Sequence, residues 1–408
     1  MRLANSDPAT SVRLVATERN YRIPLFCAVT LLFWMSMYTC VPILTPFAES
    51  LGASHGMAGL IVGMYGLSQM LLRIPVGVMS DRLHKRKAFI VFGFVFSVLA
   101  GVGILFSNDL LWLVLLRALA GAAAATWVDF TILFASYYRK EETTRAIGTI
   151  SLFNSLGQML GILLGGVVAD LYGWEAAFLL GAAVGVVGAA GAFFVVEKFD
   201  DGGRPITLQG VAEVASDRIL LTVSFLAILF QLLTFATVFG FTPVYAEALG
   251  ATKTDMGILT FCSTLPMAIG AWVGGRTLAR TIGERNVIIL GFLLSGAFTL
   301  AIPFTSSFWM LVATQALAGL GRGLTTPVLM ALSIKHMSDG RRATAMGFFQ
   351  AIYGFGMFAG PYAMGLLGDA LTLEQGFVIL GVFGCSTALL SRWMLQRAGA
   401  GTTAAAKG

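Results

Sequence analysis

Apolar residues occupy the chain in long blocks of about 18 to 25 residues, separated by short polar stretches. A helix rises about 1.5 Å per residue, so each block is long enough to cross the roughly 30 Å of hydrocarbon in a bilayer. Twelve blocks are predicted, at residues 23-47, 57-79, 88-107, 110-135, 146-169, 175-196, 219-244, 255-278, 287-304, 308-335, 343-367 and 374-394. The pattern predicts an all-α membrane protein with twelve transmembrane helices, numbered spans 1 to 12 in chain order.

One long polar segment, residues 197-218, divides the spans six and six, and it contains a run rich in glycine and aspartate that is typical of a linker. We therefore predict five parts along the chain. They are an N-terminal tail at 1-22, a six-helix bundle at 23-196, the linker at 197-218, a second six-helix bundle at 219-394 and a C-terminal tail at 395-408.

The two predicted bundles repeat each other. The sequence Glu-Ser-Leu-Gly-Ala at 49-53 returns as Glu-Ala-Leu-Gly-Ala at 247-251, and Asp170 at the end of span 5 returns as Asp369 at the end of span 11. The offset stays at 198 or 199 positions across separate regions. Two parallel repeats of this kind predict a pseudo-twofold axis along the membrane normal and transport by rocking of the two halves.

Composition excludes a soluble protein, because 57% of the residues are hydrophobic, only 12% are charged and the mean hydropathy is +0.82. The net charge of +6 is explained by topology, so we do not expect a nucleic-acid partner. The four cysteines all fall inside spans, where disulfides are not expected.

The positions of the cations predict the orientation of the chain. With the N-terminus inside, the outer loops hold only Lys253, and Arg73, Arg117 and Arg322 lie within spans; every other Lys and Arg falls on the inner side. Positive charge is retained on the cytoplasmic side of membranes. Both termini are therefore predicted to be cytoplasmic, in a multi-pass protein of the cell membrane, such as a bacterial inner membrane. The polar first twenty-two residues predict no cleavable signal peptide.

The turn between spans 2 and 3 has the pattern Gly-x-x-[Ser/Ala]-Asp-Arg-x-x-[Lys/Arg]-Arg, given by Gly77, Asp81, Arg82, Lys85 and Arg86. It resembles the loop between helices 2 and 3 of the major facilitator superfamily, in which the acid and the cations control a cytoplasmic gate between two helical bundles. His84 stands where that family usually has glycine. The resemblance implies the family's fold, with Asp81 near residues 342-346, where the free amides of a helix N-terminus stabilise a carboxylate.

Spans 5 and 11 carry glycines four residues apart, which line one helix face and allow close packing. The positions are Gly157, Gly161, Gly165 and Gly166 in span 5, and Gly356, Gly360 and Pro361 in span 11. The longer pattern resembles the helix 5 signature of the family's proton-coupled antiporters, although Ile162 replaces its proline. The resemblance favours export. Uptake by proton symport and a multi-span receptor without transport remain alternatives.

Helices 1, 4, 7 and 10 line the central cavity in the family that the chain resembles. Arg117 in span 4 matches an arginine of that family associated with proton coupling, and its alternative is to extend to the membrane interface. Arg322 lies in the middle of span 10, where an unpaired cation is costly. The resemblance therefore implies two cations directed into the cavity. Four side chains are predicted to surround an amphipathic substrate, unless they serve packing alone: Trp34, Tyr38, Gln231 and Phe235.

Asp129 is the only acid deep within a span. It lies about seven residues from the cytoplasmic end of span 4, and Arg73 lies at a similar depth of about 10 Å in span 2. An ion pair between the two is the favoured prediction. A buried carboxylate without a cation would instead carry the coupled proton.

These observations predict a secondary active transporter that exports an anionic or amphipathic organic solute in exchange for protons. There is no P-loop, no metal-ligand spacing and no nucleophile with a base, so neither an enzyme nor an ATP-driven pump is predicted. The expected energy source is the proton gradient, with no cofactor or metal. The expected partners are the solute, protons and the bilayer, with the chain acting as a monomer.

Overall fold

The computed structural model describes residues 8–106, 109–139, 142–198 and 208–399, and every regular element within them is helical. The first half contains α1 (Pro8–Tyr38), α2 (Leu44–Ser50), α3 (His55–Leu83), α4 (Arg86–Val102), α5 (Leu110–Ala125), α6 (Trp127–Ala135), α7 (Thr143–Tyr172) and α8 (Trp174–Phe193). The second contains α9 (Leu208–Val214), α10 (Arg218–Ala236), α11 (Thr242–Ala248), α12 (Lys253–Val273), α13 (Ala279–Thr281), α14 (Glu284–Leu300), α15 (Phe308–Lys335), α16 (Asp339–Ile352), α17 (Gly354–Ala370) and α18 (Leu373–Arg397). Parts of the predicted tails and linker, at 1-7, 199-207 and 400-408, lie outside the described residues.

Eleven segments of the described chain are long and apolar enough to cross a membrane. The twelfth predicted span, at 343-367, is divided at Tyr353 into α16 and α17, of 14 and 17 residues, and neither half is long enough alone. Tyr353 keeps right-handed helical angles (φ −66°, ψ −18°), so the break is local. The α1 helix begins at Pro8, inside the predicted polar tail.

Spans 1, 4 and 7 are also interrupted, each near the middle of the bundle. A 3₁₀ turn with Pro42 separates α1 from α2, Thr126 separates α5 from α6, and a π-turn over Thr237–Phe241 separates α10 from α11. Irregular backbone at membrane depth is tolerated where protein or a cavity surrounds it. Spans 1, 4, 7 and 10 are the four most buried of the candidate spans.

Within the described chain, the helices form two bundles and three apolar cores, one of which combines residues 26-195 with Phe235 and Met357 of the second half. A second core draws all its buried members from residues 214-395, and the third draws all of its members from residues 40-178. The α4, α8, α14 and α18 helices place large apolar side chains on the outer surface, among them Phe92, Val187, Leu293 and Leu389. This surface suits contact with lipid. The predicted architecture of two six-helix bundles is confirmed.

Two helix pairs join the bundles, α3 with α17 and α7 with α12. The pairs are equivalent under the internal repeat. We call the two ends of the molecule the His55 end, where α3 and α12 begin, and the Asp81 end, where α3 finishes. Glycine permits close approach at the joins: a Cβ on Gly66 would lie 2.5 Å from that of Met357, and one on Gly257 would lie 3.0 Å from the carbonyl oxygen of Ile162.

Candidate functional site

A cavity of about 390 Å³ lies between the bundles near the middle of the helices, and residues of α12 and α15 extend its wall toward the Asp81 end. Its wall includes the aromatic side chains Trp34, Tyr38, Tyr65, Trp127, Phe235, Phe239 and Tyr353, and the amides Gln69, Asn154, Gln158 and Gln231. Among the described residues that line the cavity, Arg73 is charged and none carries a carboxylate. The cavity can therefore enclose a solute that is partly aromatic, forms hydrogen bonds and is neutral or anionic.

The breaks in spans 1, 4 and 7 place aromatic side chains at the cavity. Tyr38 ends α1, Trp127 begins α6, and Phe239 lies in the π-turn after α10. The ring centroids of Trp34 and Trp127 are 5.3 Å apart within the first bundle. Those of Tyr38 and Phe239 are 6.0 Å apart, so the two bundles touch there through an aromatic edge.

Gln69 and Arg73 lie one turn apart on the same face of α3, and both are buried. The Nη1 group of Arg73 donates to the side-chain oxygen of Gln350 at 3.0 Å and to the hydroxyl of Tyr353 at 3.5 Å. Because α3 belongs to the first bundle and these partners to the second, Arg73 connects the bundles beside the cavity. Its Nε has no hydrogen-bond partner within the described chain, nor do Oε1 of Gln69 and Nε1 of Trp34.

The structure corrects the prediction for Arg322, which lies outside the described lining of this cavity, whereas Arg117 lines a smaller pocket that shares Tyr65 and Phe235 with it. The guanidinium of Arg117 lies 5.0 Å from the centre of the Tyr65 ring, and that ring itself lines the cavity. Arg322 is fully buried and donates to the Ser263 hydroxyl at 2.6 Å and to the Gln315 carbonyl at 3.3 Å, inside its own bundle. Arg73 is the cation that reaches the cavity.

The predicted ion pair between Asp129 and Arg73 is wrong. Asp129 is fully buried in the first turn of α6 and its Oδ1 accepts a hydrogen bond of 3.2 Å from Nη1 of Arg86. The other terminal nitrogen of Arg86 contacts Asp81. Arg86 begins α4 and reaches Asp129 across the bundle, so it holds the position predicted for Arg73. One arginine therefore lies between two carboxylates.

The other predicted gate residues are less enclosed. Arg82 and Lys85 are exposed, and a Cβ on Gly77 would be 3.8 Å from Val128, an ordinary contact. His84 takes the left-handed conformation at the end of α3 (φ 54°), the geometry for which glycine is suited. The closeness of Asp81 to residues 342-346 stays a prediction, although α3 does pack against α16.

Two carboxylates join the bundles at the His55 end. Asp369, at the end of α17, accepts hydrogen bonds from the backbone amides of His55 at 2.8 Å and Gly56 at 2.9 Å, which begin α3. Asp170, at the end of α7, accepts one from the hydroxyl of Thr254 at 2.8 Å in the first turn of α12. A carboxylate is favoured at a helix N-terminus, so these contacts hold the His55 end closed.

The glycine motifs serve packing within and between bundles. A Cβ on Gly161 would lie 2.6 Å from the Met35 carbonyl oxygen of α1, Gly157 meets α1 in the same way, and Gly165 meets the carbonyl of Thr39 directly after α1. Gly356 and Gly360 meet α10 at equivalent positions. Between the bundles, a Cβ on Gly166 would lie 2.8 Å from the Lys253 carbonyl oxygen, and the carbonyl of Pro361 faces Gly59.

Among the predicted substrate residues, Trp34, Tyr38, Gln231 and Phe235 all line the cavity. Gln69, Trp127, Asn154 and Gln158 line it too, and the sequence analysis did not select them. A signal existed, because Gln69 with Arg73 and Asn154 with Gln158 are polar pairs four residues apart within apolar spans.

Two bundles that enclose a polar cavity, joined firmly at one end, define a membrane transporter. A model described as Major Facilitator Superfamily matches residues 26–246 and 223–407. The chain belongs to the Major Facilitator Superfamily, and it is a carrier without enzymatic activity.

The relatives of the chain include transporters from archaea and bacteria. An uncharacterized MFS-type transporter of Methanocaldococcus jannaschii is 24% identical over 381 residues, which cover 89% of this chain and 97% of the relative. The multi-drug resistance efflux pump PmrA of Streptococcus pneumoniae is 25% identical over 358 residues, covering 84% and 87%. The crystal structure of a bacterial homolog of the human lysosomal transporter Spinster, inward-facing and occupied, has a TM-score of 0.77 at 16% identity and covers 93% of this chain and 97% of that one.

Proposed function

We propose that this transporter exports a small anionic or amphipathic organic solute by alternating access, and that inward movement of protons drives the export. The observation that carries the proposal is the cavity of about 390 Å³ between the bundles, combined with the carboxylate contacts that close the His55 end. A solute can occupy the space between the bundles while one end stays closed.

The direction rests on orientation and on likeness to efflux proteins. The distribution of Lys and Arg supports a cytoplasmic position for the Asp81 end and for both termini. In this orientation the cavity takes up solute from inside the cell. PmrA, a relative over most of the chain, is named as a multi-drug resistance efflux pump.

The cluster of Asp81, Arg86 and Asp129 supports proton coupling. Two carboxylates share one arginine, and the Oδ2 atom of Asp129 has no hydrogen-bond partner among the described residues. A proton on Asp129 removes one negative charge beside Arg86 and releases part of the hold on that arginine. Asp81 belongs to the turn that resembles the family's cytoplasmic gate, so protonation would reach the gate directly.

The test uses purified protein in proteoliposomes with a panel of anionic and cationic amphipathic dyes. An imposed pH gradient should drive dye movement by the wild type. In Asp129→Asn the gradient should no longer drive transport, while exchange of dye down its own gradient survives. Asp217→Asn is the matched control, since Asp217 caps α10 from its own position and asparagine caps almost equally well. If transport by Asp129→Asn still responds to the pH gradient, Asp129 does not carry the coupled proton.

A further inference from the structure

We propose that Arg73 is the residue that selects the solute, and that the solute class is a planar aromatic compound carrying one negative charge, such as an aromatic carboxylate. The inference rests on the proposed transport function and names the substrate class of its cavity. It replaces Arg322, which is bound inside its own bundle, and Arg117, which lines a smaller adjoining pocket, with a cation that lies in the wall of the cavity.

The polar groups of the wall favour a ligand with hydrogen-bond acceptors. Trp34, Gln69 and Arg73 are each at least nine-tenths buried, and each has one polar atom without a partner within the described chain. Two of these atoms, Nε1 of Trp34 and Nε of Arg73, are donors. Buried donors in proteins are almost always paired. A carboxylate of the solute can accept from Arg73, and its charge makes that hydrogen bond the stronger kind.

The remaining wall favours a flat and apolar body. Trp34 lies 5.3 Å from Trp127 and 5.9 Å from Tyr38 between ring centroids, so aromatic faces and edges cover one side of the cavity. Aromatic rings pack well in this arrangement. No carboxylate occurs in the described lining, so a cationic solute would meet Arg73 without any compensating charge.

Arg73 also couples the solute to the contact between bundles. Its Nη1 group is held by Gln350 and Tyr353, which belong to the second bundle. An anion in the cavity competes with these neutral acceptors for the guanidinium. Binding of the anion therefore weakens the connection between α3 and the second bundle, which is a change that a rocking transporter needs.

The experiment compares three probes that share one ring and differ in charge: 2-naphthoate, 2-naphthamide and 2-naphthylmethylammonium. Their affinities are measured on the purified full-length protein by quenching of tryptophan fluorescence. The wild type should bind naphthoate about tenfold more tightly than naphthamide, as expected for a hydrogen bond to a charged group, and should bind the cation weakest. Equal affinities for the three probes, or no binding of any, would overturn the proposal.

Two variants that break the same hydrogen bond give opposite predictions. Arg73→Gln should remove the preference for naphthoate, and Arg73→Lys should keep part of it. Gln350→Leu should raise the affinity for naphthoate, because it frees the guanidinium. A purely structural Arg73 would make both Arg73→Gln and Gln350→Leu weaken binding alike, which would contradict selection by charge. Arg145→Gln is the matched control, since it removes an exposed arginine that pairs with Glu142.

Binding needs neither a gradient nor transport. Selective binding of naphthoate by a protein that fails to export would overturn the proposed function and leave this inference standing. Export by a protein that binds the three probes equally would support the proposed function and overturn this inference.

Discussion

Asp170 and Asp369 lie 199 positions apart, and each binds the first turn of a helix in the opposite bundle. Asp369 accepts from the amides of His55 and Gly56, and Asp170 accepts from the hydroxyl of Thr254. Four residues before each carboxylate stands a glycine, Gly166 or Gly365, that allows the same two helices to touch. The repeated sequence thus forms one contact twice, once on each side of the pseudo-twofold axis.

Loss of the Asp369 carboxylate should open the His55 end locally. In Asp369→Ala the amide hydrogens of His55 and Gly56 lose charge-assisted bonds, and we expect them to exchange about tenfold faster. Hydrogen exchange with mass spectrometry, on peptides that cover the start of α3, measures this rate. Asp217→Ala is the control, because Asp217 caps the first turn of its own helix, α10. Unchanged exchange at the start of α3 would show that the carboxylate does not hold this end.

Removal of Arg86 should be costly, because Asp129 is fully buried beside it. We expect Arg86→Gln to lower the free energy of unfolding by about 3 kcal/mol, the usual result of leaving one partner of a buried pair. Adding Asp129→Asn should restore more than half of the loss. Equilibrium unfolding in mixed micelles measures both variants, and a double variant no more stable than the single one would contradict the pairing.

The glycines of α7 should differ sharply in their tolerance of a methyl group. Gly161→Ala places a Cβ 2.6 Å from the carbonyl oxygen of Met35, so α1 and α7 must separate and stability should fall by about 2 kcal/mol. Gly148→Ala meets nothing within 4 Å and should raise stability by about 0.5 to 1 kcal/mol through helix propensity. The midpoints of thermal unfolding in detergent should therefore move in opposite directions.

His84 offers a test of backbone strain in the turn that contains Asp81. Its positive φ of 54° costs an L-residue about 1 kcal/mol, which glycine does not pay. We expect His84→Gly to raise the midpoint of thermal unfolding slightly. His336→Gly is the matched control, because His336 ends α15 at φ −98° and glycine relieves no strain there. A loss of stability in His84→Gly as large as in His336→Gly would contradict the strain.

The sequence was sufficient for the architecture because the bilayer imposes it. Long apolar blocks must form helices in hydrocarbon. The repeat, which relates Asp170 to Asp369 and other pairs at nearly the same offset, identifies two halves from the sequence alone. Hydropathy did not reveal the break at Tyr353, since it is one residue long and apolar residues stand close to it on both sides, such as Ile352 and Phe355.

Side-chain direction within the membrane was less predictable. Helical rise predicts one depth for Arg73 and Asp129, but Val128, the neighbour of Asp129, lies beside Gly77, one turn beyond Arg73 on α3, and depth alone does not choose partners. Arg86, which the sequence assigns to a polar turn, begins α4 beside α6 and takes the place next to Asp129. Likewise Arg322 finds Ser263 and a main-chain carbonyl in its own bundle, contacts that depend on how α12 and α15 are rotated.

The hydrogen bonds between Asp369 and the start of α3 depend on residue identity at position 369 much more than at position 55. The carboxylate comes from a side chain, whereas both donors are main-chain amides, which every residue except proline supplies. Substitution of His55 by another residue therefore leaves the hydrogen bonds available, while a change at position 369 removes them. A Cβ on Gly56 would come within 2.7 Å of that carboxylate, so position 56 is limited by size and not by chemistry. Substitutions at position 55 can therefore remove sequence identity at that position and still leave this end of the molecule closed.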